Sequence, residues 1–165
     1  MEIRLLGEND AAAYQALRLQ SLKEHPEAFG VAYEEEVEMP MADVGKRLTG
    51  ADAATLGAFE ANELIGIITL ARFPRIKLRH RAMINSMYVT PQAREQGVGK
   101  ALLHEAIAYA HTLDGLEELN LAVTVGNKPA RSLYLHAGFT PYSVEPRFIK
   151  VGAQYYDIEW MSLRL

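Results

Sequence analysis

Met87-Tyr88-Val89-Thr90-Pro91-Gln92-Ala93-Arg94-Glu95-Gln96-Gly97-Val98-Gly99-Lys100-Ala101-Leu102 is the run on which the reading of the chain turns. An extended segment, Arg81 to Val89, stops at Thr90-Pro91, because a residue before proline avoids the helical region. From Gly97 to Leu113 the period is helical, with Leu102, Leu103, Ala106, Ile107 and Ala110 on one apolar stripe. A strand therefore leads through a turn into a helix that opens on two glycines. The first turn of a helix carries amides without internal partners, and its dipole favours negative charge. Glycines leave room for a phosphate to come close to those amides. Read physically, the run is a pyrophosphate cradle, with Arg94 and Lys100 adding charge on either side. The same residues also fit a glycine-rich helix start that binds nothing.

Two common phosphate motifs are excluded. A Walker loop needs glycine five positions before the Gly-Lys pair and a hydroxyl residue after it. Those positions are Arg94 and Ala101. A dinucleotide fingerprint needs glycine where Leu102 stands.

Outward from this run the chain alternates between the two periods. Ile3 to Leu6 reads as a strand, and Asn9 or Asp10 caps a helix over Ala11 to Glu24, with Tyr14, Leu17, Ser21 and Leu22 at helical spacing. Glu34 to Glu38 is an acidic loop or helix edge, and a short helix spans Met41 to Leu48. Ala54 to Ala61 and Leu64 to Phe73 form a hairpin across Asn62-Glu63. Leu119 to Val125 alternates as a strand. Asn127 caps a helix that runs to Ala137, with Gly138 just past its end. Two more strands cover about Thr140 to Lys150 and Gln154 to Arg164. The order β-α-α-β-β-β-α-β-α-β-β predicts an α/β (α+β) mixed sheet of about seven strands with about four helices.

Composition narrows the functional classes. The chain has 165 residues, the size of one domain, so 1–165 reads as a single unit. Seventeen basic against 21 acidic residues give a net charge of −4, which disfavours nucleic acid as the main partner. Cysteine is absent, which removes disulfides, thiolate nucleophiles and cysteine zinc sites together. His104 and His111 share a helix without carboxylates at ligand spacing, so no metal is expected. The longest apolar stretch, Leu64 to Ala71, is far shorter than the ~20 residues of a membrane span. The first ten residues lack the apolar region of a secretory signal, so a cytoplasmic protein is expected. Arg72, Arg75, Lys77, Arg79, His80 and Arg81 cluster around Pro74, as a solvated hairpin turn or as a contact for a phosphate or partner.

Arg94-Glu95-Gln96-Gly97-Val98-Gly99 resembles the Arg/Gln-x-x-Gly-x-Gly/Ala motif of the GNAT family of N-acetyltransferases. Asn127-Lys128-Pro129-Ala130-Arg131-Ser132-Leu133-Tyr134, followed by Gly138-Phe139, is similar to that family's second motif. The resemblance covers nearly the whole chain and implies a GNAT-like fold with acetyl-CoA as co-substrate. It implies that the main chain of Met87, Tyr88 and Val89 lies along the pantetheine arm. The amides from Gln96 through Gly97, Val98, Gly99 and Lys100 to Ala101 would hold the pyrophosphate, with Arg94 beside them. Asn127 and Ala130 would meet the pantetheine arm, and Tyr134 would protonate the departing thiolate. The residues alone also fit Tyr134 as a core aromatic, since Ala130, Leu133 and Ala137 share its face.

The acceptor side is less patterned. Protein α-amine acetyltransferases of the family carry a glutamate five positions before the motif asparagine, and Ala122 stands there. The expected acceptor is therefore a small-molecule primary amine, with a protein N-terminus as the alternative. A non-catalytic acyl-CoA-binding module is the alternative of another class. Glu34, Glu35 and Glu36 are candidates for a base acting through water, or for a group that holds a cationic acceptor. They equally fit a solvated surface. Asn85 and Ser86, beside the donor, can orient the amine. The chain is compatible with a homodimer.

Overall fold

The computed structural model describes all 165 residues. Seven strands form one sheet: β1 (Glu2–Leu5), β2 (Ala53–Glu60), β3 (Glu63–Arg72), β4 (Arg81–Val89), β5 (Glu118–Thr124), β6 (Thr140–Val151) and β7 (Gln154–Arg164). Five helices accompany them: α1 (Ala11–Glu24), α2 (Tyr33–Glu36), α3 (Met41–Leu48), α4 (Val98–His111) and α5 (Lys128–His136). The helix α2 is a single turn, and it is what the acidic run becomes. The Glu35 carboxylate accepts from the Ala32 amide at 2.8 Å, which closes the start of that turn.

The spatial order is β1-β2-β3-β4-β5-β7-β6. Every neighbouring pair is antiparallel except β4 and β5. A parallel pair needs a crossover, and α4 supplies it. The apolar run of β3 is buried on both faces, as a central strand requires. Leu64 and Ile67 meet α1 and α3 together with Tyr14, Leu17, Val44 and Leu48. Ile65, Ile68 and Leu70 meet the stripe of α4, where Leu102, Leu103, Ala106 and Ala110 have 1% exposure or less. Truncating Leu102 to alanine would remove about 2–5 kcal/mol. That burial fixes the N-terminus of α4 against the end of β4.

Candidate active site

β4 and β5 pair only where Arg81 to Met83 face Glu118 to Asn120. Beyond Met83, β4 continues beside β3, whereas β5 continues beside β7 as far as Thr124. The two strands therefore part. A local cause lies in β4. Between Asn85 and Tyr88 it has one residue more than β3 has between Thr69 and Ile67, and Ser86 sits at φ 53°. Such a bulge bends its strand and sharpens the twist. The left-handed backbone at Ser86 costs a side-chain-bearing residue about 1–3 kcal/mol. The gap between the strands is a cavity of about 480 Å³. Its walls include Asn85, Ser86 and Met87 of β4, Ala122 to Thr124 of β5, Asn127, and Ala130 and Tyr134 of α5.

At the end of β4 the chain turns through Glu95 at φ 62° and Gly97 at φ 81°. A β-carbon at Gly97 would meet nothing, so backbone conformation is the reason for glycine there. The first bond of α4 runs from the Ala101 amide to the Gly97 carbonyl at 2.9 Å. The amides of Val98, Gly99 and Lys100 are left without a helical partner. The same bond removes Ala101 from the set of amides expected to hold a phosphate. At Gly99 a β-carbon would lie 3.4 Å from the end of Met87, so the protein interior by itself does not forbid one. Gln96 shapes the loop by donating to the Gln92 carbonyl at 2.8 Å. Lys100 is exposed.

Arg94 is bound back into the protein. Its Nε donates to the Val89 carbonyl at 3.0 Å, and its Nη2 lies 3.6 Å from the Glu24 carboxylate. The same nitrogen is 3.2 Å from the His25 ring. Glu24 also accepts from the Tyr88 hydroxyl. That bond, with a second from Gln20, holds the Glu24 carboxyl below the usual range. Burial, with the bond to Glu24, pushes the Tyr88 phenol up to about 12. Arg94 thus ties the glycine loop to the end of α1, a positioning role rather than the free charge the sequence suggested.

On the other wall the Asn127 side chain accepts from the Ala130 amide at 3.3 Å and caps α5. Tyr134 is 7% exposed and packs edge-on to Phe139, so it belongs to the core. Its hydroxyl also lines the cavity side of that core, 3.6 Å from the Met87 sulfur. Burial pushes its pKa up to about 12. The core and cavity readings of Tyr134 hold together.

The acidic run does not line this cavity. Glu36 is buried, accepting from Arg18 Nε at 3.1 Å and Arg47 Nη1 at 2.9 Å. That double ion pair makes Glu36 a tether between α1 and α3, and it corrects its assignment as a base. Glu35 is occupied at the start of α2, and Glu34 faces a neighbouring depression with Tyr33 and Lys150. No aspartate, glutamate or histidine lines the cavity, and Arg18 is its sole charged lining residue. The sequence reading overlooked Arg18. The available signal was a charge inside the buried stripe of α1, between Leu17 and Ser21.

The basic cluster lies at the other end of β4. Nine residues of strand separate it from the glycine loop by roughly 25–30 Å. No three His, Asp or Glu side chains converge anywhere as a metal site. No helix is long and apolar enough to cross a membrane.

A model of the acetyltransferase (GNAT) family matches residues 12–139. YhfO of Bacillus subtilis (strain 168), an uncharacterized N-acetyltransferase, is 31% identical over 140 residues, 84% of this chain and 89% of its own. Spermidine N(1)-acetyltransferase of Vibrio cholerae is 30% identical over 102 residues, 61% of this chain and 56% of its own. The crystal structure of a phosphinothricin acetyltransferase from Sinorhizobium meliloti in complex with acetyl-CoA has the same fold, with a TM-score of 0.84 at 22% identity over 99% of this chain and 88% of that one. The parted strands, the open helix start and these matches agree: the chain belongs to the GNAT family and is an N-acetyltransferase with acetyl-CoA as its donor.

Proposed function

We propose that the chain acetylates a primary amine of a small molecule by direct attack in the cavity between β4 and β5. The observation that carries this reading is the Tyr134 hydroxyl in a cavity whose wall includes Met87, the side chain that ends 3.4 Å from where a β-carbon of Gly99 would stand at the open start of α4. The residues fit acetyl-CoA. The amides of Val98, Gly99 and Lys100 suit the pyrophosphate, with Gly97 shaping the approach and Gln96 holding the loop. Met87 lines the gap that would take the pantetheine arm, with Tyr88 and Val89 continuing the same strand towards the glycine loop, and the Asn127 side-chain nitrogen is free to donate to the arm. Ala130 leaves space beside that arm. Bound there, acetyl-CoA supplies an activated thioester.

Tyr134 then donates a hydrogen bond to the sulfur as negative charge builds on it. With a pKa of about 12 the phenol stays protonated throughout the working range. Full transfer to a thiolate whose pKa is ~8.5 runs uphill. The hydroxyl therefore acts in the transition state as a donor and relay, and the proton shed by the amine ends on the sulfur.

No cavity side chain titrates as a base near neutrality, so the amine must arrive uncharged. Asn85 and Ser86, which line the cavity, would orient it. An α-amine (~7.7–8.0) has a useful neutral fraction at pH 7, whereas an alkylamine (~10.4) has very little. A small-molecule acceptor is supported by relatives that act on spermidine and phosphinothricin. Ala122, where α-amine acetyltransferases of proteins carry glutamate, supports it as well.

The test is thiol release from acetyl-CoA across a panel of primary amines, followed by a pH–rate profile on the best one. The rate should climb with pH and level off near that amine's pKa. A profile that is flat through this pKa would refute attack by the free amine.

A further inference from the structure

Arg18 is 5% exposed, and the one hydrogen bond its guanidinium makes in the protein is from Nε to Glu36. Its Nη1 is shut away from solvent with no partner. An arginine carries five donors in a fixed fork and is always charged. Buried donors of this kind are normally matched. Its neighbours do not complete the match. Glu36 is the sole carboxylate bound to it and is shared with Arg47, so two guanidiniums face one carboxylate. The Phe29 ring, 5.0 Å away, offers only its π face. Arg18 lines the same cavity as Tyr134, and no acidic residue lines it.

We propose that Arg18 is a specificity-determining residue that binds a carboxylate on the acceptor, so that the acceptor is a free amino acid. This inference rests on acetyl transfer for the position of the amine. A planar carboxylate fits the fork of a guanidinium. A second ammonium would instead meet one of two guanidiniums that share a single carboxylate, so a polyamine is disfavoured. The rest of the lining is largely apolar, with Phe29, Val31, Phe148 and Trp160 among it, which suits an apolar side chain.

The experiment pairs leucine, methionine, phenylalanine and glutamine each with its own carboxamide, with spermidine alongside. Turnover with acetyl-CoA and binding to the CoA-saturated protein are both measured. Each amide has the less basic amine and so the larger uncharged fraction near neutral pH, so protonation alone favours it. It also resembles a peptide N-terminus. Selection by Arg18 should reverse that order, with kcat/KM for the best acid exceeding its amide by roughly 10- to 100-fold. Arg18→Met should bring the two rates together by raising KM for the acid. A merely structural loss would lower both alike. The comparison on the unaltered protein stands whether or not that variant folds.

Equal rates for acid and amide, or a preference for spermidine, would overturn the role of Arg18 and leave acetyl transfer intact. Selective binding of the acids without turnover of any amine would uphold Arg18 and overturn transfer to a small-molecule primary amine in this cavity. Absence of both binding and turnover would overturn both.

Discussion

At its first three residues β4 is paired on both sides; over the rest of its length it is paired on one. The first end carries the densest charge in the chain. Arg72 donates to the carbonyls of Arg79 and Asp114, Arg79 pairs with Asp52 at 2.9 Å, and Arg81 bonds Glu118 and Asn120. Those three arginines are matched and brace the β3–β4 connection, while Arg75 and Lys77 of the same cluster are exposed to solvent. The far end carries little free charge. It has a strained serine, a left-handed glycine and three amides without helical partners. Unmatched donors, rather than density of charge, mark the place where a ligand is expected.

The largest expected effect breaks the open end. Gly99→Glu places a carboxylate where the pyrophosphate should lie, and CoA affinity by calorimetry should fall roughly 100-fold or more. The fold should survive. A β-carbon there makes only tight contact with Met87, and an acidic side chain suits an empty helix N-terminus. Unchanged affinity in the folded variant would place the cradle elsewhere. Next in size, Tyr134→Phe should lower kcat ~100-fold while KM for acetyl-CoA hardly moves, because the hydroxyl acts in the transition state. An unaltered kcat with chemistry rate-limiting would remove Tyr134 from the reaction.

Two smaller effects sharpen the contrast. The folded state holds the Tyr134 proton up to a pH of about 12, whereas the unfolded chain releases it near ~10. The stabilisation is complete below pH ~10 and is lost as pH rises towards 12, a change of about 2–3 kcal/mol. Urea unfolding at both limits should show that loss, reduced in Tyr134→Phe. Arg79→Ala breaks a half-exposed ion pair at the closed end. Its cost should be about 1 kcal/mol or less by urea unfolding, with CoA affinity untouched. A weakened CoA complex in that variant would blur the distinction between the two ends.

Local features of the chain were legible because they rest on short-range physics. The periodicity of Ala11–Glu24, Met41–Leu48 and Arg81–Val89 and the cap at Asn127 need only neighbours in sequence. The parting of β4 from β5 does not, since pairing of β5 with β7 draws on residues 34 to 46 positions away in the chain. The bulge is not legible in the sequence, where Arg81 to Val89 reads as one unbroken strand. The fate of the acidic run depends on Arg18 and Arg47, which lie on two different helices, so its burial could not be read from composition. The raised pKa of Tyr134 depends on burial that only the packed core supplies.

Amide hydrogen exchange with and without CoA tests the difference between the two ends most directly. CoA should slow exchange at Val98, Gly99 and Lys100, whose amides have no helical partner in the free protein, and leave the turn from Pro74 to His80 unchanged. Protection in that turn, with none at the start of α4, would contradict that difference.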